Sequence, residues 1–213
     1  MPKLIRITTS PLSLRSLLSN QMRYMSEHGF EVIMVSSEGK EWPAILQNEK
    51  CSHRIVSMSR EIAPVRDLRS LWKLYRLFKR ERPDIVHSHT PKAGLLAMLA
   101  AKMAGVKIRI HTIAGLRFMT ASGGFRKLLV FMEKLTGKAA THIWPNSYSL
   151  LEYIKKHHLV NEKKLTVIGQ GSSNGVDLTR FSPGQLKENK LDEIKQLLKF
   201  DPCYCYLLNM GRI

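Results

Sequence analysis

Asp84-Ile85-Val86-His87 is a short apolar run preceded by Pro83. A helix-forming stretch follows from Lys92 to Ala104, ended by Gly105, and a second apolar run extends from Val106 to Thr112. Strand, helix and strand within about thirty residues is the spacing of a parallel βαβ unit. Upstream the same alternation reads as a strand from Leu4 to Thr8, a helix from Leu12 to His28 and a strand from Glu31 to Ser36. A short helix at Trp42–Leu46 and a strand from His53 to Ser57 come next. The helix from Arg66 to Glu81 then carries Leu68, Leu71, Trp72, Tyr75 and Phe78 on one face.

Downstream, a loop with Gly115, Gly123 and Gly124 leads into a helix ending near Leu135. A strand at His142–Trp144 closed by Pro145, a helix from Ser147 to His157 and a strand from Leu165 to Ile168 complete the series. This order predicts the α/β class: a Rossmann-like, doubly wound parallel sheet of about seven strands, covered by helices on both faces. Ligands of such sheets sit beyond the carboxyl ends of the strands. The loops after Thr8, His87, Thr112 and Trp144 are therefore where a site is expected. The tail departs from the rhythm, with Gly/Ser/Asn-rich Gly169–Gly175, a break at Phe181–Gly184, a polar helix from Leu186 to Lys199 and a strand beginning at Cys203. The expected organisation is a domain over 1–183, followed by 184–213 as a helix and the first strand of a second, truncated domain.

Charge narrows the partners. Thirty-four Lys and Arg against 17 Asp and Glu give +17, which points to an anionic partner: nucleic acid, a phosphate-bearing substrate or an acidic lipid surface. Cys51, Cys203 and Cys205 form no C-x-x-C pair, so neither a disulfide framework nor a zinc site is expected. The apolar segment from Ala93 to Val106 carries Lys102 and is too short to span a bilayer. A soluble, cytoplasmic protein without a secretory signal is the expectation. Walker, G-x-S-x-G and nucleic-acid-binding motifs are missing, and the expected crevice has few carboxylates, which argues against NTPase, serine hydrolase and glycosidase chemistry.

His87 and His89 stand two apart at a strand end, a spacing that puts both on one face; with no third ligand nearby they read as hydrogen-bonded histidines rather than a metal pair. Lys92 sits where free helix amides would help it hold an anion, or it is a solvated lysine beside a Pro-started helix. His111 would face the crevice and bond a sugar hydroxyl or phosphate oxygen; alternatively it is a packed histidine fixing a turn. Leu116, Phe118 and Met119, beside Arg117, suit a lip meeting lipid, or fold back onto the core. Arg66, Arg69, Lys73, Arg76 and Arg80 step by three and four along one helix, and Arg126, Lys127, Lys134 and Lys138 add a second cluster. Such a stripe reads as a membrane-surface helix or a solvated face, the former being favoured.

Pro83–His89, Lys92–Leu96, His111–Leu116, Pro145–Ser147, Gly169–Asp177 and Arg180–Pro183 together resemble the N-terminal half of glycosyltransferase family four, the retaining GT-B enzymes. The closest look is to bacterial enzymes building glycans on polyprenyl diphosphate. The resemblance implies a nucleotide-sugar donor, a lipid-linked or glycan acceptor, no required metal or other cofactor, and work at the inner face of the cytoplasmic membrane. His111 would contact the transferred sugar. His89, Lys92, Leu116, Arg117 and Phe118 would line the acceptor side. Thr9, Ser10, Ser13, Asn146, Ser147 and Arg212 would serve the donor. The remaining donor-holding groups of the family are not in the 213 residues, so a fragment inactive alone is expected. The competing class is a basic α/β module for nucleic acid or an acidic polymer, without catalysis.

Overall fold

The computed structural model describes residues 1–59, 61–172, 174, 175, 178, 182, 184, 188–204 and 206. The chain divides into two compact units, Met1–Asn174 and Gly175–Ile213. The first is built on six parallel strands: β1 (Lys3–Ile7), β2 (Glu31–Ser36), β3 (Ser52–Ile55), β4 (Ile85–Ser88), β5 (Ile108–Ile113) and β6 (His142–Pro145), in the order β3-β2-β1-β4-β5-β6. The strands alternate with α1 (Pro11–Leu17), α2 (Gln21–Glu27), α3 (Trp42–Glu49), α4 (Pro64–Glu81), α5 (Pro91–Ala104), α6 (Gly123–Ala139) and α7 (Tyr148–Lys156). A 3-10 turn at Arg117–Thr120 precedes α6.

Side chains alternate across each strand, which gives the sheet two cores. Ile5, Ile7, Ile33, Val35, Val86 and Ile143 pack beneath α4, α5 and α6. Leu4, Val32 and Met34 pack with Leu14, Leu18, Met22, Trp42 and Ile45 from α1 to α3. Helix α5 packs against both α4 and α6 and buries Ala93, Gly94, Ala97, Ala100 and Ala101. These small residues let its backbone come close to the sheet. At Gly94 the approach is extreme: a Cβ there would lie 2.3 Å from Cε1 of His111.

The sheet has six strands, not seven. Leu165 forms only an isolated parallel bridge to Ile143, with the Thr166 amide donating to the Ile143 carbonyl at 3.1 Å. The next rung of this ladder would need an amide from residue 145, which is proline and has none. The long helix expected from Leu12 to His28 is two helices, broken where Asn20 takes a left-handed φ of 66°. The buried Glu49 carboxylate of α3 accepts the amides of Asn20 (2.7 Å) and Arg23 (3.0 Å), so a residue remote in sequence caps α2 and suits its positive end. Helix α4 also sits differently from its expected face. It buries Ser70, Leu74, Leu77 and Phe78, leaving Leu68 (66%) and Trp72 (55%) exposed.

The second unit contains α8 (Glu188–Leu197). Where a strand is expected from Cys203, Cys203 and Tyr204 lie in a turn closed by the Tyr204 amide on the Asp201 carbonyl. Cys205 and positions 207–208 of that stretch lie outside the described residues, as does Arg212.

Gly94→Ala forces either α5 or His111 to move. It is expected to destabilise the chain by about 1–3 kcal/mol in urea unfolding. His111→Ala added to it should recover part of that loss by vacating the ring's space.

Candidate functional site

Strand order reverses between β1 and β4, the place where open parallel sheets leave a crevice at their carboxyl ends. The two loops there are laced together. The Thr9 amide donates to Thr90 Oγ1 at 3.0 Å, and the two threonine hydroxyls lie 2.7 Å apart. Thr9 is thereby buried, while Ser10 and Ser13 are half-buried at the start of α1. Because the Thr90 hydroxyl is turned to Thr9, it does not cap α5. Pro91 opens α5 without an amide, and the Lys92 and Ala93 amides of its first turn have no intrahelical acceptor.

The ends of β5 and β6 form its continuation. The Asn146 amide donates to the Ile113 carbonyl, and the Asn146 carbonyl accepts the Ser172 amide at 2.6 Å. Asn146 Nδ2 reaches the Ala114 carbonyl at 3.4 Å. Ser147 Oγ caps α7 by accepting the Leu150 amide at 3.2 Å. Gly171 has a φ of +94°, and a Cβ there would meet the Asn146 carbonyl oxygen at 2.6 Å. Asn146 and Ser147, two of the residues expected on the donor side, are thus tied into the ends of β5, β6 and α7 and remain half-buried.

The three histidines go to different places. His111 does not face the crevice: it is 2% exposed, its Nδ1 lies 2.8 Å from Ser88 Oγ, and Gly94 covers its ring. Strand parity turns it toward α5, and the packed-histidine reading is the one that the geometry supports. His87 and His89 point to the opposite face, their rings 4.0 Å apart. There His89 Nε2 accepts from Arg6 Nε at 3.0 Å, while His87 Nε2 lies 2.8 Å from Thr112 Oγ1. A 320 Å³ cavity on that face is lined by Arg6, His87, His89, Thr112, Trp144 and Asn146, among others. Burial, reinforced by the charges of Arg6 and His111, holds His87 well below the ordinary histidine value, and burial with His87, Arg6 and His111 does the same to His89. Burial pushes His111 down to about 4 against its bond to Ser88, and brings Arg6 down to about 10. Among the described residues no group of three or more His, Cys, Asp or Glu side chains is placed to hold a metal.

The residues expected on the acceptor side are only partly brought together. His89 is on the Arg6 face, away from the others. Lys92 is neither solvated nor free for an anion, since it is buried and its Nζ pairs with the Asp67 carboxylate of α4. Leu116 and Phe118 fold back into the core, with the Arg126 guanidinium 5.9 Å over the Phe118 ring. Arg117 and Met119 are left exposed. Arg117 and Lys92 do share a small cavity of about 30 Å³ with Ile62, Pro91, Leu129, Met132, Glu133 and Thr136. Glu133, which nothing in the sequence singles out, is pushed up to about 7 by burial; its place on the inward side of α6 is the only signal that could have found it.

The basic stripe is displayed as its spacing predicts: Arg66, Arg69, Lys73, Arg76 and Arg80 are all exposed on α4. Arg80 pairs with Glu81; the other four have no ion pair among the described residues. Arg126 and Lys127 are exposed on α6.

The histidines give the fold a pH dependence. Each is held below its unfolded value near 6.5, so unfolding takes up protons and stability falls as pH drops below that value. The loss amounts to about 1.4 kcal/mol per pH unit for each histidine, continuing to about pH 4 for His111. Glu133 acts in the opposite sense, so urea unfolding of Glu133→Gln between pH 7.5 and 5 isolates the histidine slope. His111→Asn should make that slope shallower by one proton.

The profile of Glycosyltransferase Family 4 matches residues 16–180. Over 177 residues the chain is 41% identical to the capsular polysaccharide biosynthesis glycosyltransferase CapM of Staphylococcus aureus, covering 83% of this chain and 45% of that protein. Over 196 residues it is 31% identical to the UDP-Gal:alpha-D-GlcNAc-diphosphoundecaprenol alpha-1,3-galactosyltransferase of Escherichia coli, covering 90% of this chain and 48% of that one. The fold matches a glycosyltransferase from Rickettsia africae (TM-score 0.65, 19% identity, 93% of this chain and 49% of that chain). It also matches Anabaena HepE in complex with UDP and glucose (TM-score 0.66, 12% identity, 93% and 50%), and the UDP-N-acetylglucosamine 2-epimerase of Rickettsia bellii (TM-score 0.66, 17% identity, 92% and 51%). The chain spans about half the length of the curated relatives it matches. On the match over 16–180 and the 41% identity to CapM, the chain belongs to Glycosyltransferase Family 4.

Proposed function

We propose that the chain is the acceptor-binding half of a retaining glycosyltransferase, which moves a hexose from a nucleotide-sugar to a saccharide carried on polyprenyl diphosphate at the inner face of the cytoplasmic membrane. The observation that carries this reading is the 31% identity, over 90% of the chain, to an enzyme whose name specifies a UDP-sugar donor and a diphosphoundecaprenol-linked acceptor. The fold alone does not choose transfer, because an epimerase carries it too.

In the reaction the acceptor hydroxyl oxygen bonds to the sugar's anomeric carbon, the bond from that carbon to the donor phosphate breaks, and the nucleoside diphosphate leaves as the hydroxyl proton is lost. The departing charge is the main thing to stabilise. Here the crevice between the Thr9 and Thr90 loops contributes the first-turn amides of α5. Asn146 and Ser147 would border the donor from the wall, and Ser10 and Ser13 from the start of α1. The nucleotide itself would be gripped by the half of the fold beyond these 213 residues, with Arg212 at its start. His111 acts from beneath, by holding β4 and α5 in register. The proposal invokes no metal.

Membrane docking would use the outer side of α4. Its cations lie beside exposed Val65, Leu68 and Trp72, and α6 adds exposed Phe125, Leu128 and Phe131 beside Arg126 and Lys127. Cations with large apolar side chains on one helix suit the headgroup region, each cation contributing about 1 kcal/mol near an anionic leaflet. Among the described residues no helix is long and apolar enough to cross a membrane.

Full-length protein is expected to transfer hexose from a UDP-sugar to a polyprenyl-diphosphate saccharide, and the 213 residues alone to give no turnover. Product formation by the half chain, or its absence with every lipid-linked acceptor, overturns the reading. In vesicle sedimentation, Arg69→Glu, Lys73→Glu and Arg76→Glu together should abolish binding to anionic vesicles, with loss of the Trp72 fluorescence shift. Unchanged partitioning would remove the stripe from membrane docking, and tighter, more salt-resistant binding to DNA than to vesicles would favour the nucleic-acid module instead.

A further inference from the structure

We infer that Glu133 is an acceptor-binding residue, whose carboxyl group takes a hydroxyl of the acceptor saccharide in the small cavity beside Arg117. This rests on the function proposed above and names a residue that the reading does not otherwise use.

Three observations support it. First, Glu133 of α6 lines a cavity together with Ile62 from the segment before α4, the first turn of α5 and the 3-10 turn after β5, all of which lie at the carboxyl-end side of the sheet. Second, it has no hydrogen bond or ion pair to any described residue. Its charged neighbours across the cavity are Lys92 of α5, already matched by Asp67 of α4, and Arg117 of the 3-10 turn. The Thr136 hydroxyl is committed to the Met132 carbonyl at 2.9 Å. A half-buried carboxyl without a partner is costly to maintain unless something supplies one. Third, the cavity is about 30 Å³, room for a hydroxyl or a water but not for a sugar ring. Arg117 at its rim is an exposed guanidinium without an ion pair among the described residues. Hydroxyl acceptor within and cation at the rim match one class of ligand, a saccharide bearing a phosphate or diphosphate. The raised ionisation of Glu133, to about 7, lets the carboxyl donate to or accept from that hydroxyl near neutrality.

The test has two arms. In the full-length enzyme, Glu133→Gln should raise the acceptor KM about tenfold, the order of one hydrogen bond to a charged group, with the donor KM and kcat held within twofold. The pH dependence of acceptor kcat/KM near 7 should vanish with it. Glu133→Met, which removes both the charge and the hydrogen bond, should fold more stably and bind acceptor worse. In the 213-residue chain, N-acetylglucosamine 1-phosphate should move the Glu133 carboxyl resonance in NMR titration, and less so in Arg117→Gln. An unchanged acceptor KM in both Glu133 variants overturns the inference, as does a resonance indifferent to the phosphosugar. If the phosphosugar moves that resonance but the full-length protein transfers no sugar, the site stands and the proposed reaction fails.

Discussion

The close seat of α5 on β4 and β5 is the constraint from which the rest of the crevice is built. Gly94 leaves no side chain between the helix backbone and the His111 ring, and the Ser88 hydroxyl holds that ring from the strand side. With α5 fixed at that depth, Thr90 at its start meets Thr9 across the switch point, while Lys92, two residues on, meets Asp67 of α4. A helix lifted by the width of a methyl group would break these contacts together, since packed interiors absorb little displacement. The position of the start of α5 therefore depends on a glycine and a buried histidine.

Charge is distributed unevenly between the interior and the surface. The chain carries +17, yet its buried ionisable groups are largely silent. His87, His89 and His111 are held neutral by burial, Lys92 is matched by Asp67, and the Glu49 carboxylate is spent on the first amides of α2. The net charge is therefore displayed largely on the outside, part of it on α4 and the start of α6. These are also the helices with the large exposed apolar side chains. Trp72, Leu68, Phe125 and Phe131 are the apolar side chains that the proposed membrane docking would place beside these cations.

Much of the fold was legible in the order of the residues. Short β-branched runs separated by helix-length segments leave few arrangements besides a parallel sheet with crossover helices. Gly105 and Pro145 punctuate it where the local backbone requires. The stripe from Arg66 to Arg80 could be placed on one helix face because its spacing is a property of the helix alone. The location of the crevice followed from strand direction, and the loops after β1, β4, β5 and β6 do meet there.

Tertiary structure decided what spacing could not. Sequence gives the alternation of His87, Ser88 and His89, but not which side α5 will cover, so His111 looked like a crevice residue and is a packed one. Lys92 is 25 positions from Asp67, and Asn20 is 29 from Glu49; no local pattern couples such pairs. The seventh strand was lost because Pro145 lacks the one amide its ladder needed, a requirement visible only once β6 has a neighbour. Glu133 acquires its character from the groups that exclude water around it. Periodicity along a chain fixes which residues share a face, but burial, ionisation and pairing belong to the space between elements, which exists only after they pack.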